Sequence, residues 1–200
     1  MPVTDELLED SDEDIEALLV EWLANESRVT RNNLVLAVIK SKGAVNLANL
    51  DGIKKALNVT LSKFKSSSVI VTNNDGIQYL DTLKDKSDRP LLNPDPTAPT
   101  QLRLRCGTTT VPVKEFDNET IPSVEGKVPF YIGDFKEGIK FFDRKQLTLL
   151  ASNVATVKGE TDDDSLNAFE EDLMLIRGIE REDIETRDET AFVNGYIEIA

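Results

Sequence analysis

The sequence predicts an α+β protein, in which a long helix and a shorter second helix precede a series of strands. Apolar residues recur with helical spacing over roughly twenty-five residues near the start of the chain. Short apolar runs separated by turn residues fill the second half, which is typical of strands. These two periodicities, in this order along the chain, indicate the α+β class.

The long helix is predicted to open at Ser11, with Asp12, Glu13 and Asp14 in its first turn, and to end at residues 40–43. Ser11 and Asp14 have the spacing of an N-terminal capping box, and a short helical turn is expected before them, over residues 4–8. Basic residues precede Gly43, as is typical of a helix C-terminus. The helix residues predicted to lie in the core are Ile15, Leu19, Trp22 and Val29.

The middle of the chain is predicted to contain a second helix at about residues 50–64 and a short strand at 69–71. Residues 73–75 carry the polar side chains that cap helices, and a short helix is expected at 77–83. Four prolines follow within residues 87–100, and they favour an exposed, stiff loop.

The second half is predicted to be mostly strands. Strand-like patterns occur in LRLRC, TTTVPVKEF, VPFYIGDF and the long segment GIKFFDRKQLTLLAS. A polar loop is expected at residues 153–165, and two final strands are expected around a polar turn at 186–189.

The net charge of −14 is concentrated at the two ends of the chain. Residues 1–30 hold ten acidic residues and one basic residue, and residues 160–200 hold fourteen acidic and three basic residues. Residues 31–159 hold nineteen basic and thirteen acidic residues. The net negative charge makes the chain a poor candidate for binding nucleic acid phosphates. Solvated faces explain the acidic ends simply, and contact with basic surfaces of neighbouring subunits is the sharper alternative.

Several function classes are excluded or disfavoured. Because the chain has no histidine, it has no Ser-His-Asp triad, no Cys-His pair and no zinc finger. The single cysteine, Cys106, is expected to be a small buried hydrophobic residue. The run at residues 162–164 lacks the frame of a calcium loop, and the glycines form no phosphate-binding motif. No apolar run approaches the roughly eighteen residues that cross a bilayer. We therefore expect no metal site, no membrane partner and no catalysis, with an enzyme of unknown type as a remote alternative.

Four stretches, taken in order, resemble the major capsid proteins of tailed bacteriophages, which have the Hong Kong 97-type fold. The family's spine helix and the segment before it look like PVTDELLEDSDEDIEALLVEWLANESRVTRNNLVLAVI. Its strand, short helix and LKD-x-x-x-R turn look like VIVTNNDGIQYLDTLKDKSDRPLLNPD. Its GDF…DR passage looks like YIGDFKEGIKFFDRKQLTLLAS, and its closing strands, with R-x-I-E-R-x-D, look like AFEEDLMLIRGIEREDIETRDETAFVNGYI. The resemblance covers essentially the whole chain.

The resemblance implies a structural protein without cofactors. Residues 1–40 and 140–200 then form a peripheral domain, and residues 41–139 form an axial domain. The implied partners are copies of the chain or full-length capsid subunits, in an icosahedral virion shell that holds double-stranded DNA without sequence-specific binding. Assembly is expected in the cytoplasm of a bacterial host. The implied interface residues are Asn93, Asp95 and Thr97 on a loop facing the capsomer axis, and Lys158 and Glu160 where peripheral domains meet.

The chain also departs from the family pattern. Family subunits usually carry an N-terminal arm and an extended loop before the spine helix, whereas this sequence opens at the segment leading into the helix. We therefore expect an N-terminally truncated capsid subunit, for which covalent cross-linking is not assumed. Two alternatives stay open: a short chain that co-assembles with full-length subunits and interferes with their shells, and a nanocompartment shell that encloses an enzyme.

Overall fold

The computed structural model of the chain describes residues 2–4, 15–158 and 166–199, with the backbone alone for residues 2–4, 15 and 16. The chain divides into two compact units. Unit 1 comprises Met1–Asn32 and Phe141–Asp183, and unit 2 comprises Asn33–Lys140 and Ile184–Ala200. Residues 184–200, which were predicted to share a domain with 140–183, fall in unit 2. The names peripheral and axial stay a prediction.

Three elements run from one unit into the other. They are helix α1 (Ile15–Ser41), strand β8 (Ile139–Ser152) and strand β11 (Leu173–Thr186). Helix α1 ends at Ser41, within the predicted end at residues 40–43. The predicted capping box of Ser11 and Asp14 lies outside the described residues, and Thr4, predicted to start a helical turn, instead ends a strand.

Unit 1 contains α1 up to Asn32 and a three-stranded sheet. The sheet has the order β1 (Pro2–Thr4), β11, β8, and β1 pairs antiparallel with the start of β11. Gly178 on β11 faces Leu23 of α1 and Leu147 and Leu149 of β8, so the helix lies against these two strands. A two-stranded ladder joins β9 (Thr156–Val157) to β10 (Leu166–Asn167).

The apolar stripe of α1 is only partly buried in unit 1. Leu19 is buried, as predicted. Trp22 and Val29 are each 49% exposed, so the prediction that they are core residues is wrong. The physical reason is that the described part of unit 1 covers only about half of each of these two side chains. The side chain of Ile15, the fourth predicted core residue, lies outside the described residues.

Unit 2 is built on a seven-stranded mixed sheet of the order β2-β12-β7-β3-β6-β5-β4. Two neighbouring pairs are parallel, β2 with β12 and β3 with β6, and the other pairs are antiparallel. In chain order the strands are β2 (Val45–Asn46), β3 (Val69–Asn73), β4 (Leu92–Pro94), β5 (Leu102–Cys106), β6 (Thr109–Phe116), β7 (Lys127–Gly133) and β12 (Phe192–Glu198). Strand β4 lies inside the proline-rich segment predicted to be a loop.

The helices of unit 2 are short. Helix α2 (Leu50–Lys55) passes into a π-helix (Ala56–Thr60), so the predicted second helix ends before residue 64. The helix ends after Asn58, Val59 and Thr60, three residues of lower helix propensity than the Ala and Leu before them. Helix α3 (Asn74–Asp81) is capped by Asn73, whose side chain accepts a hydrogen bond of 3.0 Å from the backbone of Gly76. Helix α4 (Phe135–Gly138) and a 3₁₀ turn (Glu189–Ala191) complete the unit.

Strands β12, β7 and β3 of the sheet of unit 2 are covered on both faces. Because side chains alternate along a strand, Phe130 and Ile132 of β7 face one core and Tyr131 faces the other. The larger core is closed by α2, the π-helix and α3, and the smaller by the last turns of α1 with Ile121. Burial raises the pKa of Tyr131. Burying one large apolar side chain contributes about 2–3 kcal/mol, so these layers dominate the stability of unit 2.

Two of the sequence motifs close tight turns. In GDF, an added Cβ on Gly133 would lie 2.3 Å from the carbonyl oxygen of Ala191. Asp134 then caps α4 by accepting a hydrogen bond of 3.0 Å from the backbone of Lys136. In LKD-x-x-x-R, the Asp85 carboxylate accepts hydrogen bonds from the backbone of Ser87 at 2.7 Å and from Arg89 Nε at 3.2 Å. Both motifs therefore specify backbone geometry.

Candidate assembly surfaces

The loop predicted to face a capsomer axis follows β4. Asp95 is only 5% exposed, and its carboxylate is used within the loop. It accepts hydrogen bonds from the backbone and hydroxyl of Thr97 at 2.9 and 2.8 Å, and from Arg103 Nε at 2.6 Å. The hydrogen bonds from Thr97, followed by those from Arg103, hold the pKa of Asp95 below its ordinary value. Asp95 therefore shapes the loop from inside.

The exposed surface of this loop is formed by neighbouring residues. Asn93 and Thr97 are exposed, and the Asn93 amide donates a hydrogen bond of 3.2 Å to the carbonyl oxygen of Pro90. The backbone N–H of Asp95 donates to the Gln101 carbonyl at 2.7 Å, which closes the base of the loop. The role of Asn93, Asp95 and Thr97 in subunit contacts stays a prediction. The sequence did not single out Arg103, because its pairing with Asp95 depends on the β4–β5 register.

The second predicted surface lies at the end of β9 in unit 1. Lys158 is exposed. Glu160, its predicted counterpart, lies outside the described residues. Apolar side chains are exposed around Lys158: Val154 is 69% exposed and Val157 is 53% exposed. The sequence interpretation concentrated on charge and missed this apolar character, although the segment NVATV at residues 153–157 contains two valines.

A third surface of unit 1 was also missed. Leu18 is 60% exposed beside Trp22 on α1. Elsewhere in unit 1, Phe169 is 78% exposed in the turn after β10. Trp22 also lines a cavity of about 790 Å³ between α1 and the strands of unit 1. Its other lining residues are Leu23, Leu150, Ser152, Ala155, Thr156, Val157, Leu175, Ile176, Arg177 and Gly178. Exposed apolar side chains near a cavity are typical of a surface that another chain covers.

The described residues contain no cluster of side chains suited to holding a metal ion. Among residues 15–158 and 166–199, no three His, Cys, Asp or Glu side chains lie close enough to hold a metal ion. Cys106 is buried, and burial raises the pKa of its thiol to about 11, which makes it a poor nucleophile. In the described part of the chain, every helix is too short or too polar to span a bilayer.

Known structures share the fold. The capsid of an empty GTA particle matches with a TM-score of 0.70 and 16% identity, over 100% of this chain and 71% of that chain. A structure from Microbacterium phage Oxtober96 matches with a TM-score of 0.70 and 17% identity, over 98% and 70%. One from Mycobacterium phage Adephagia matches with a TM-score of 0.65 and 11% identity, over 100% and 70%.

The family follows from the sequence itself. The model of the phage capsid family matches residues 1–196, so the chain belongs to that family. No curated protein matches the chain significantly. The chain is therefore a structural protein of the major capsid type, with its place in the virion capsid and with other capsid subunits as its partners. The resemblance found in the sequence and its α+β fold class are confirmed.

Proposed function

We propose that copies of this chain associate into capsomers of an icosahedral shell that encloses double-stranded DNA. The observation that carries the proposal is the exposed apolar surface of unit 1, formed by Leu18, Trp22 and Val29, in a member of the phage capsid family. Exposed apolar patches in soluble proteins mark association surfaces, because removing them from water contributes about 25 cal/mol of free energy per Å² buried. Association of subunits buries such surface.

The subunit contacts are proposed to use the predicted loops. The loop of Asn93, Asp95 and Thr97 faces the centre of the capsomer, with Asp95 holding its shape. Lys158 pairs with Glu160 of a neighbour where peripheral domains meet. Each such exposed ion pair contributes about 0–1 kcal/mol, so the shell relies on many copies.

The charge distribution supports a further step in assembly. The acidic ends of the chain and its basic middle meet between neighbouring subunits, which favours correct encounter more than affinity. The shell holds DNA without reading its sequence, assembles in the cytoplasm of a bacterial host and carries no catalytic activity. If raising the salt concentration leaves the rate of assembly unchanged, the electrostatic step is wrong, whereas the shell proposal stands.

Light scattering and negative-stain imaging of the purified chain test the association. The test variant is the double substitution Leu18→Ser with Trp22→Ser, and the control is Val59→Ser, at a side chain 67% exposed in unit 2. We expect capsomer-sized particles for the unmodified chain and for the control, and monomers for the double variant. A monomer of 22.3 kDa from the unmodified chain at all concentrations contradicts the proposal. Circular dichroism establishes that each variant is folded.

A further inference from the structure

A cluster of charged side chains joins α1 to β11 within unit 1. Arg31 Nε donates a hydrogen bond of 3.0 Å to Glu180 Oε1, and its Nη2 donates to the same oxygen. Arg31 Nε also donates to Glu182 Oε1. Ser27, one turn earlier on α1, donates a hydrogen bond of 2.9 Å to Glu180. The Glu180 and Glu182 side chains are only 19% and 5% exposed, so this cluster is partly shielded from water.

The cluster lies at the residues where the chain leaves unit 1. The chain crosses between the units after residues 32, 140 and 183. Arg31 and Glu182 each lie one residue from a crossing. Phe141, the first residue after another crossing, places its ring 5.7 Å from the Arg31 guanidinium carbon. One set of contacts therefore holds together α1, β8 and β11 at their ends in unit 1.

The cluster has two acidic groups for one basic group. Glu180 and Glu182 are two residues apart on a strand, so they share a face and both reach Arg31. Burial, then the hydrogen bond with Glu180, raises the pKa of Glu182. The hydrogen bond from Glu182, followed by those from Ser27 and Arg31, lowers the pKa of Glu180. One proton shared between the carboxyl groups therefore relieves their repulsion.

The other charged side chains that the structure describes on these three elements are exposed. Arg28 on α1 is exposed, as are Asp143 and Lys145, which lie on the Phe141 side of β8. Arg181 and Asp183 are exposed and alternate with the two glutamates on β11, so they point to its opposite face. The balance between Arg31 and the two glutamates therefore decides the local charge.

We propose that Arg31, Glu180 and Glu182 form a proton-operated latch that holds α1 against β11 where the chain leaves unit 1. The latch is tightest when the two carboxyl groups hold one proton, with Glu182 neutral and Glu180 paired to Arg31. It loosens when both groups are charged, because two negative charges then compete for one guanidinium. It opens when both groups are protonated, because Arg31 then has no anionic partner. This device belongs to the single chain and does not depend on shell assembly.

The direction of the pH dependence follows from the two groups. The raised pKa of Glu182 means that the folded chain takes up this proton first, so the latch tightens as pH falls through that value toward 4.5, the ordinary glutamate pKa. The lowered pKa of Glu180 means that its contribution is present above 4.5 and is lost as pH falls through the lowered value. The latch is therefore tightest near pH 4.5.

Hydrogen exchange of the full chain tests the latch, with rates corrected for intrinsic exchange at each pH. The reporter is the protection of amides at residues 24–32. For the unmodified chain we expect protection to rise as pH falls from about 7 to about 4.5 and to fall again by about pH 3. Glu182→Gln mimics the neutral group, so its protection should already be high at about pH 7. Glu180→Gln removes the anion that pairs with Arg31, and its protection should fall about threefold to tenfold.

Three controls make the test decisive. Glu185→Gln changes the same charge at an exposed position of β11 and should follow the unmodified chain. Arg31→Lys keeps the charge but loses the paired hydrogen bonds of the guanidinium to Glu180. It should flatten the pH profile of amide protection even if a glutamine variant folds poorly. Amides of β7 report on unit 2 and should not show the maximum near pH 4.5. The proposal is wrong if Glu182→Gln keeps the pH profile of the unmodified chain, or if β7 shows the same profile as α1.

Discussion

Replacing Gly133 by alanine tests the close approach of β7 to β12 in unit 2. Gly133 has φ of 154°, which L side chains rarely adopt. An added Cβ would lie 2.3 Å from the Ala191 carbonyl oxygen and 2.5 Å from Phe192 Cα. Ordinary contacts of a Cβ atom begin at 3.4 Å, so the backbone of Ala191 and Phe192 would have to move by about 1 Å. Because the obstructing atoms belong to the backbone, no side-chain rotation relieves the overlap.

The size of the effect follows from two contributions. The unfavourable φ costs about 1–3 kcal/mol, and overpacking against a rigid neighbour costs about 1–3 kcal/mol more. Gly133→Ala should therefore lose about 2–6 kcal/mol, a large part of the roughly 5–15 kcal/mol that stabilises a domain. Urea unfolding followed by circular dichroism measures the loss, and hydrogen exchange of β7 and β12 locates it in unit 2.

Two glycines serve as matched controls for this substitution. An added Cβ on Gly43 meets nothing within 4 Å, so Gly43→Ala should change the unfolding free energy by less than about 0.5 kcal/mol. Gly107 has φ of 69° but open space around it, so Gly107→Ala should cost about 1 kcal/mol from backbone strain alone. If Gly133→Ala unfolds at the same urea concentration as Gly107→Ala, the overlap with β12 is not what requires glycine.

Three further substitutions or reactions probe the loop, the core and the cysteine. Above pH 3.8, the ordinary aspartate pKa, the charged Asp95 should protect the amides of residues 95–103 from hydrogen exchange. This protection should be lost as pH falls through the lowered pKa of Asp95. Asp95→Asn should remove this pH dependence. Phe130→Ala should cost about 3–5 kcal/mol in urea unfolding, because Phe130 is fully buried, whereas Phe116→Ala, at a side chain 38% exposed, should cost less than about 1 kcal/mol. A pKa of about 11 makes the thiolate of Cys106 about a hundredfold scarcer at pH 8 than the thiolate of a thiol with a pKa of 9.0. An aromatic disulfide reagent should therefore react quickly with Cys106 only after urea unfolding. Fast reaction of the folded chain would contradict the burial of Cys106.

The elements of the fold were predictable where a local pattern determines them. The helical period of the apolar residues predicted α1. Asn73 was predicted to cap a helix, because an amide side chain can accept hydrogen bonds from the first free N–H groups of a helix, and it caps α3. Strands β5 to β8 lie where apolar and β-branched residues cluster. The prediction missed β4 in the proline-rich segment, because an edge strand tolerates proline where its N–H is not needed for pairing.

The candidate surfaces were less predictable, because exposure depends on what the rest of the chain covers. Trp22 lies on the apolar stripe of α1, and the period alone cannot distinguish a core side chain from one awaiting a partner. Phe169 was not singled out, since one aromatic residue among acidic neighbours carries no periodic signal. The partner of Asp95 was missed for a similar reason, since Arg103 meets it through strand register.

By itself, the sequence determined the α+β class, the existence and the end of the main helix, most strands, the buried environment of Cys106 and the resemblance to the capsid family. These properties depend on residue type and on spacings within a few turns or one strand, where the chain geometry leaves little choice. Only the tertiary structure decided the order of the seven-stranded sheet, the exposure of Trp22 and the meeting of Arg31 with Glu180 and Glu182. Those residues lie about 150 positions apart along the chain, and their contact arises only when β11 packs against α1.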